Sequence, residues 1–166
     1  MRRPRGWSTS DSTQRGQLDV SRGEQGDRRP LVHRVLGQEL QPAVTDELAA
    51  PDIRFEYSLH TPLRGRDAVR EFATAFRAAF PDLGFEGTAD LIAEGDYVVG
   101  QWIGGGTQTG DAFDDLPIGS LTAGTGKAMR FTGVTILKVE NRLITEELGL
   151  DDGVTALQQL GLITAA

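Results

Sequence analysis

The stretch MRFTGVTILKVENRLITEELGL, residues 129–150, holds two strand-like segments, 129–139 and 143–150, separated only by Glu140-Asn141-Arg142. β-branched and aromatic residues on either side of a short polar turn read as a long antiparallel hairpin. Upstream, residues 85–93 and 97–108 make a second such pair across Glu94-Gly95-Asp96. Between the hairpins, residues 109–126 are rich in Gly, Asp and Thr and read as a loop at the rim of the sheet, a place where loops gate pockets. Gly104-Gly105-Gly106 and Gly124-Thr125-Gly126-Lys127 read as bends and turns, because neither has the spacing or the strand-to-helix context of a phosphate loop.

Farther upstream, residues 67–80 (DAVREFATAFRAAF) place Val69, Phe72, Ala73, Phe76 and Phe80 on one helix face, with Pro81-Asp82 as the stop. Residues 52–60 (DIRFEYSLH) alternate Ile53, Phe55, Tyr57 and Leu59 against Arg54, Glu56, Ser58 and His60, which is the period of a strand. Leu31, Val35, Leu36 and Leu40 fall at helical spacing, and a second short helix starts at Pro42 with Val44 and Leu48 inward. Residues 154–160 make a last short helix, for which Asp151 or Asp152 is the N-cap. Helix, helix, strand, helix and a four-strand meander predict an α+β fold, a cone-shaped curved antiparallel sheet packed against N-terminal helices. The concavity of such a sheet is where a ligand sits.

At 166 residues and 39% hydrophobic content the chain is expected to form one domain over residues 31–166. Residues 1–30 carry seven Arg against four acids, lack apolar periodicity and are expected to form a disordered basic tail. The remaining part holds ten basic against twenty acidic residues, which argues against nucleic acid as a partner. Cysteine is absent, so thiolate chemistry and cysteine metal sites are excluded. With His33 and His60 as its two histidines, neither near a suitable cluster, the chain is expected to hold no metal. No stretch approaches a membrane span and no apolar signal core follows Arg2-Arg3, so a cytoplasmic protein with no membrane partner is expected.

Several short segments in order carry a family resemblance. They are Phe80-Pro81-Asp82, residues 91–96 (LIAEGD), residues 106–110 (GTQTG), Gly126-Lys127 through residues 131–134 (FTGV), residues 146–152 (EELGLDD) and Gln159-Leu160-Gly161. In this the chain resembles the SnoaL-like polyketide cyclases of the nuclear-transport-factor-like superfamily, over about residues 31–163. The resemblance implies a cystatin-like α+β barrel with one small-molecule pocket, no cofactor, and a homodimer through the convex face of the sheet, with Leu148 and Ile144 as contacts. Family members close rings by aldol chemistry, open or hydrolyse epoxides, support hydroxylation, or only bind, so the fold does not choose among tasks.

The aldol cyclases of that family present a His and, two residues on, an Asp on the last strand; here those places fall on Glu147 and Gly149. The His common in their Gly-Thr-His segment is Gln108, which hydrogen-bonds but shuttles no proton near neutrality. The resemblance puts Thr145, Glu147 and Gly149 on the pocket face, so that Glu147 becomes a desolvated carboxylate suited to acid/base work, or a solvated one if a bulge shifts the register. Glu146 then faces away. Tyr57 points inward with Phe55, either to polarise a substrate oxygen or as a core aromatic. Trp102, in step with Gln108, either stacks on substrate or packs the core, and Met129, Phe131, Thr135 and Leu137 form the opposite wall. Asp151 joins Glu147 if the strand runs that far, Asp152 caps the final helix, and Arg54 and His60 fall on the non-pocket face.

These readings converge on a cyclase or isomerase of natural-product biosynthesis. It would act on an apolar, polyketide-like substrate through Glu147, with Tyr57 and Gln108 orienting a substrate oxygen. The alternatives are an epoxide hydrolase in which Glu147 or Asp151 activates a water held by Gln108, and a small-molecule binding protein without catalysis.

Overall fold

The computed structural model of the protein describes residues 41–164; the helix expected before residue 41 and the tail of residues 1–30 lie outside them. Helix α1 (Pro42–Leu48) begins on a proline and turns Val44 and Leu48 into the core. Strand β1 (Ala49–Glu56) and the two-residue β2 (Leu63–Arg64) follow, then helix α2 (Arg66–Ala79). The buried residues of α2 are Val69, Phe72, Ala73, Phe76 and Ala79, a three- and four-residue spacing that gives one apolar stripe. Strands β3 (Gly84–Gly87), β4 (Ile92–Glu94), β5 (Tyr97–Thr107), β6 (Ala128–Glu140) and β7 (Leu143–Asp151) complete the sheet, and α3 (Gly153–Gln159) closes the domain. Asp152 caps α3, accepting from the backbone N–H of Thr155 at 3.2 Å.

The sheet runs β2-β1-β7-β6-β5-β3, with β4 also on β5, and it is curved and not closed on itself. The hairpin expected across residues 140–142 is present as β6 paired with β7. That across residues 94–96 is present only as the short β4 paired with the start of β5, whose other edge pairs β6 along the whole length of β5. Three details depart from the sequence reading. The expected strand over residues 85–93 is two short strands, each paired to β5, with residues 88–91 between them outside either strand, though the Thr88 N–H still donates to the Gln101 carbonyl at 2.9 Å. Gly104-Gly105-Gly106 lie inside β5 rather than in a bend, and a Cβ on Gly104 would fall 2.3 Å from the ring of Phe85. The third is the pairing of β1 with β7, which is parallel and sets Phe55 beside Glu147 and Glu56 beside Leu148.

Strand β6 alternates buried and exposed residues from Ala128 to Leu137, so Met129, Phe131, Gly133, Thr135 and Leu137 face the helices. A register shift interrupts β7: Val139 pairs Ile144 and Lys138 pairs Glu146, leaving Thr145 as the extra residue of a bulge. The bulge corrects two expectations. Thr145 donates to Glu140 Oε2 at 2.9 Å instead of lining the pocket. Ile144 is buried at 3% exposure, in phase with Glu147, and is therefore no contact of the outer face. Glu146 does face outward, near Arg54 and Lys138.

The core lies between α2 and the concave face. Phe72, Phe76 and Phe80 form a continuous aromatic run with centroid separations of 5.6 and 5.1 Å, and Phe113 from the long loop joins it at 5.2 Å from Phe76. Deleting Phe76 would cost about 3–5 kcal/mol by the usual cavity penalty.

Candidate active site

The concave face, α2 and the loop between β5 and β6 enclose a cavity of about 50 Å³. Its wall is largely aromatic, with Phe55, Phe72, Phe76, Phe80, Phe85, Trp102, Phe113 and Phe131 together with Met129 and Leu160. Tyr57, His60, Asp115, Glu147 and Asp151 bring the polar groups. Few placed polar groups in an apolar wall are the usual make-up of a small-molecule site.

Glu147 sits on β7 between Leu137 of β6 and Phe55 of β1, and 9% of it is exposed. Burial pushes its carboxyl up to about 7, and the hydrogen bond from Tyr57 is the smaller, opposing influence. The bulge that could have turned it outward lies two residues earlier and moves Thr145 instead.

A directed chain of donors ends on this carboxylate. Tyr57 Oη donates to Glu147 Oε1 at 2.8 Å and lies 2.8 Å from Thr135 Oγ1. Trp102 Nε1, which can only donate, gives its hydrogen to Thr135 Oγ1 at 2.8 Å. With Glu147 ionised, the Tyr57 hydrogen is committed to Oε1, so the Thr135 hydroxyl donates to Tyr57. The order is then Trp102 to Thr135 to Tyr57 to Glu147. Among the described residues Oε2 has no hydrogen-bond partner, which leaves it as the oxygen that can carry a proton into the cavity.

Glycines make this chain fit. A Cβ on Gly149 would stand 1.8 Å from Tyr57 Cε1, and one on Gly133 would stand 2.3 Å from Trp102 Cζ2. Gly149, paired with Thr135, thus occupies the place where the resemblance puts an Asp, and the Tyr57 ring fills the space such a side chain would need. Tyr57 arrives there because β1 runs parallel to β7 and ends at Glu56, one residue before it.

Of the other expected site residues, Asp151 does reach the cavity; it accepts a hydrogen bond from Ser58 Oγ, and burial pushes its carboxyl up. Phe55, Trp102, Met129 and Phe131 line the wall. Thr135 and Leu137, both nearly fully buried, lie behind it: Thr135 is a link in the donor chain and Leu137 is core. Gln108 is a correction. It is wholly buried but outside the cavity, and loop groups take both ends of its amide. Oε1 accepts from the backbone N–H and the hydroxyl of Thr125 at 2.6 and 2.7 Å, while Nε2 donates to the carbonyls of Gly110 and Asp111 at 3.3 and 2.7 Å. It fastens the base of the 109–126 loop and does not line the cavity.

His60 is the residue that strand parity missed. The alternation that placed it on the outer face ends with β1 at Glu56, and the turn over residues 58–60 swings the ring inward to 8% exposure. It stacks on Phe55 at 5.1 Å and lies 4.2 Å from Phe72. The signal was Ser58-Leu59-His60-Thr61-Pro62, a turn composition that ends a strand. Among the described residues no cluster of three or more His, Cys, Asp or Glu is placed to hold a metal, and no helix is long and apolar enough to cross a membrane.

The family model for SnoaL-like polyketide cyclases matches residues 33–160. Solved structures with the same fold include a protein from Jannaschia sp. CCS1 assigned to the SnoaL-like polyketide cyclases, at 19% identity and a TM-score of 0.67, covering 84% of this chain and 94% of that one. TsrD from Streptomyces laurentii matches at 19% identity and 0.63, over 87% of this chain and 100% of its own. IdmH from Streptomyces antibioticus, assigned as a polyketide cyclase, matches at 23% identity and 0.60, over 82% of this chain and 97% of its own. No curated protein matches the chain in sequence.

Proposed function

Starting from the fact that this chain belongs to the SnoaL-like polyketide cyclase family, we propose that it is a cyclase or isomerase of natural-product biosynthesis that moves protons through Glu147 on an apolar, polyketide-like substrate. The observation that carries this reading is a carboxyl buried in an aromatic cavity and held by one phenol donor, an environment that pushes its pKa up to about 7. A group that titrates near neutrality is populated in both its acid and base forms, which suits it to take a proton and return it.

Ring closure then balances without a co-reactant. Glu147 Oε2 takes a proton from carbon next to a substrate carbonyl, the electron pair released attacks a second carbonyl carbon, and the proton goes back to the oxygen formed. Tyr57 holds the carboxylate by Oε1 throughout, and the aromatic wall keeps the chain folded and water out. Opening of an epoxide by an internal hydroxyl would use the same acid and the same base.

A cavity of about 50 Å³ is far below the roughly 300–1,000 Å³ of ordinary ligand sites. Admission of substrate therefore requires the loop that contributes Phe113, Asp115 and Leu116 to move from the wall, with Gln108 holding its base in place. The hydrolase alternative loses its water-holding group, because Gln108 is spent on that loop. Pairing of two chains through the outer sheet face fits the exposed Val134, Ile136 and Leu150.

The test is hydrogen–deuterium exchange at the α-carbon of an enolisable aryl ketone, followed by NMR with wild type and Glu147→Gln. Gln accepts the same hydrogen bond from Tyr57 but cannot take a proton, so exchange should fall about 10²–10⁴-fold. Equal rates in the two proteins would sink the reading.

A further inference from the structure

His60 is a cavity residue that the donor chain of Glu147 does not touch, and its hydrogen bonding is half complete. Nδ1 lies 2.8 Å from the carbonyl oxygen of Thr61, and a carbonyl can only accept, so Nδ1 carries a hydrogen. Nε2, on the other flank of the ring, is buried and has no partner among the described residues. Burial holds the imidazole below its usual pKa against the Thr61 carbonyl and the negative charges of Asp115 from the loop and Asp151 from β7. A neutral ring with its hydrogen on Nδ1 presents a lone pair at Nε2.

We propose that His60 is the ligand-recognising acceptor of this cavity, taking through Nε2 a hydrogen bond from the hydroxyl of a flat phenolic or enolic ligand. The inference rests on the cavity being the substrate site and adds the chemistry of what enters it. Three observations set that chemistry. A buried acceptor without a partner is costly, and a donor brought by a ligand relieves the cost. The neighbouring Asp151 already accepts from Ser58, and Glu147 already accepts from Tyr57, so the cavity is rich in acceptors and selects donors. The imidazole lies among Phe55, Phe72 and Tyr57, with centroids 5.1, 4.2 and 6.1 Å away, which favours a flat π-bearing partner over a saturated alcohol. An enol of a polyketide-like chain and a phenol of its aromatised product both meet these terms.

The experiment uses the full chain and two isosteric probes, phenol and toluene, which differ by a hydroxyl against a methyl. Long-range ¹H–¹⁵N spectra of histidine-labelled wild type are expected to show one ring, assigned by its absence in His60→Phe, as the neutral form with hydrogen on Nδ1. Phenol should shift its Nε2 resonance while toluene leaves it in place, and phenol should bind roughly threefold to tenfold more tightly. His60→Phe should abolish that preference. A protonated Nε2 in the free protein, or equal binding of the two probes by wild type, would overturn the inference while leaving the Glu147 reading standing. Binding of neither probe would overturn it together with the cavity as a substrate site. The spectra and affinities of wild type decide the matter even if His60→Phe fails to fold.

Discussion

Two buried polar centres flank the concave face, and they differ in how completely their hydrogen bonds are filled. At the base of the 109–126 loop, Gln108 is wholly buried, and loop groups bond both ends of its amide. Around the end of β1, Glu147 leaves Oε2 without a partner among the described residues and His60 leaves Nε2 so. A satisfied network rigidifies, whereas an unfilled one stores cost and is tolerated where a ligand completes it. The first centre is therefore architecture and the second is where chemistry is expected, although the sequence offered Gln108 beside Glu147 as a group to orient the substrate.

The largest way to test the contrast is the pH dependence of stability. In the folded chain Glu147 keeps its proton up to about pH 7, whereas its ordinary value is 4.5. The folded state binds more protons in that interval, so the contribution is full below about pH 4.5 and is lost as pH rises to about 7, by roughly 3 kcal/mol. Urea unfolding at pH 5 and pH 8 should show that loss in wild type and little of it in Glu147→Gln; parallel profiles would mean the carboxylate is not desolvated. Next in size is Gln108→Leu, which strips the Gly110 and Asp111 carbonyls and the Thr125 N–H of their partner and should cost about 2 kcal/mol. Its pH profile of α-carbon exchange should keep the wild-type shape; a moved profile would return Gln108 to the active site. The smallest is Thr135→Val, expected to cost about 1 kcal/mol by leaving Trp102 Nε1 without its acceptor. It should also slow α-carbon exchange several-fold through a looser Tyr57, and an unchanged rate would reduce Thr135 to packing.

Most of the elements were legible because their physics is local. The stripe Val69, Phe72, Phe76 needs only the helical period, the alternation of β6 needs only the pleat, and Asp152 needs only a free N–H three residues on. Glu147 was legible through its parity with the buried face, helped by a resemblance that said which face that was. His60 and Gln108 were misjudged for opposite reasons. Parity was carried past the end of β1 for His60, and for Gln108 inwardness was taken for access to the cavity.

The sequence by itself determined an α+β domain with a long hairpin across residues 140–142, a helix packed on the concave face and a carboxylate on the last strand turned inward. Only the tertiary structure decided that β1 lies parallel to β7, that Tyr57 fills the gap above Gly149 to reach Glu147, and that the turn after β1 delivers His60 to the same cavity. Periodicity reports which way a side chain leaves its own backbone. Which groups meet depends on pairings between strands ninety residues apart, and no local pattern of one chain records them.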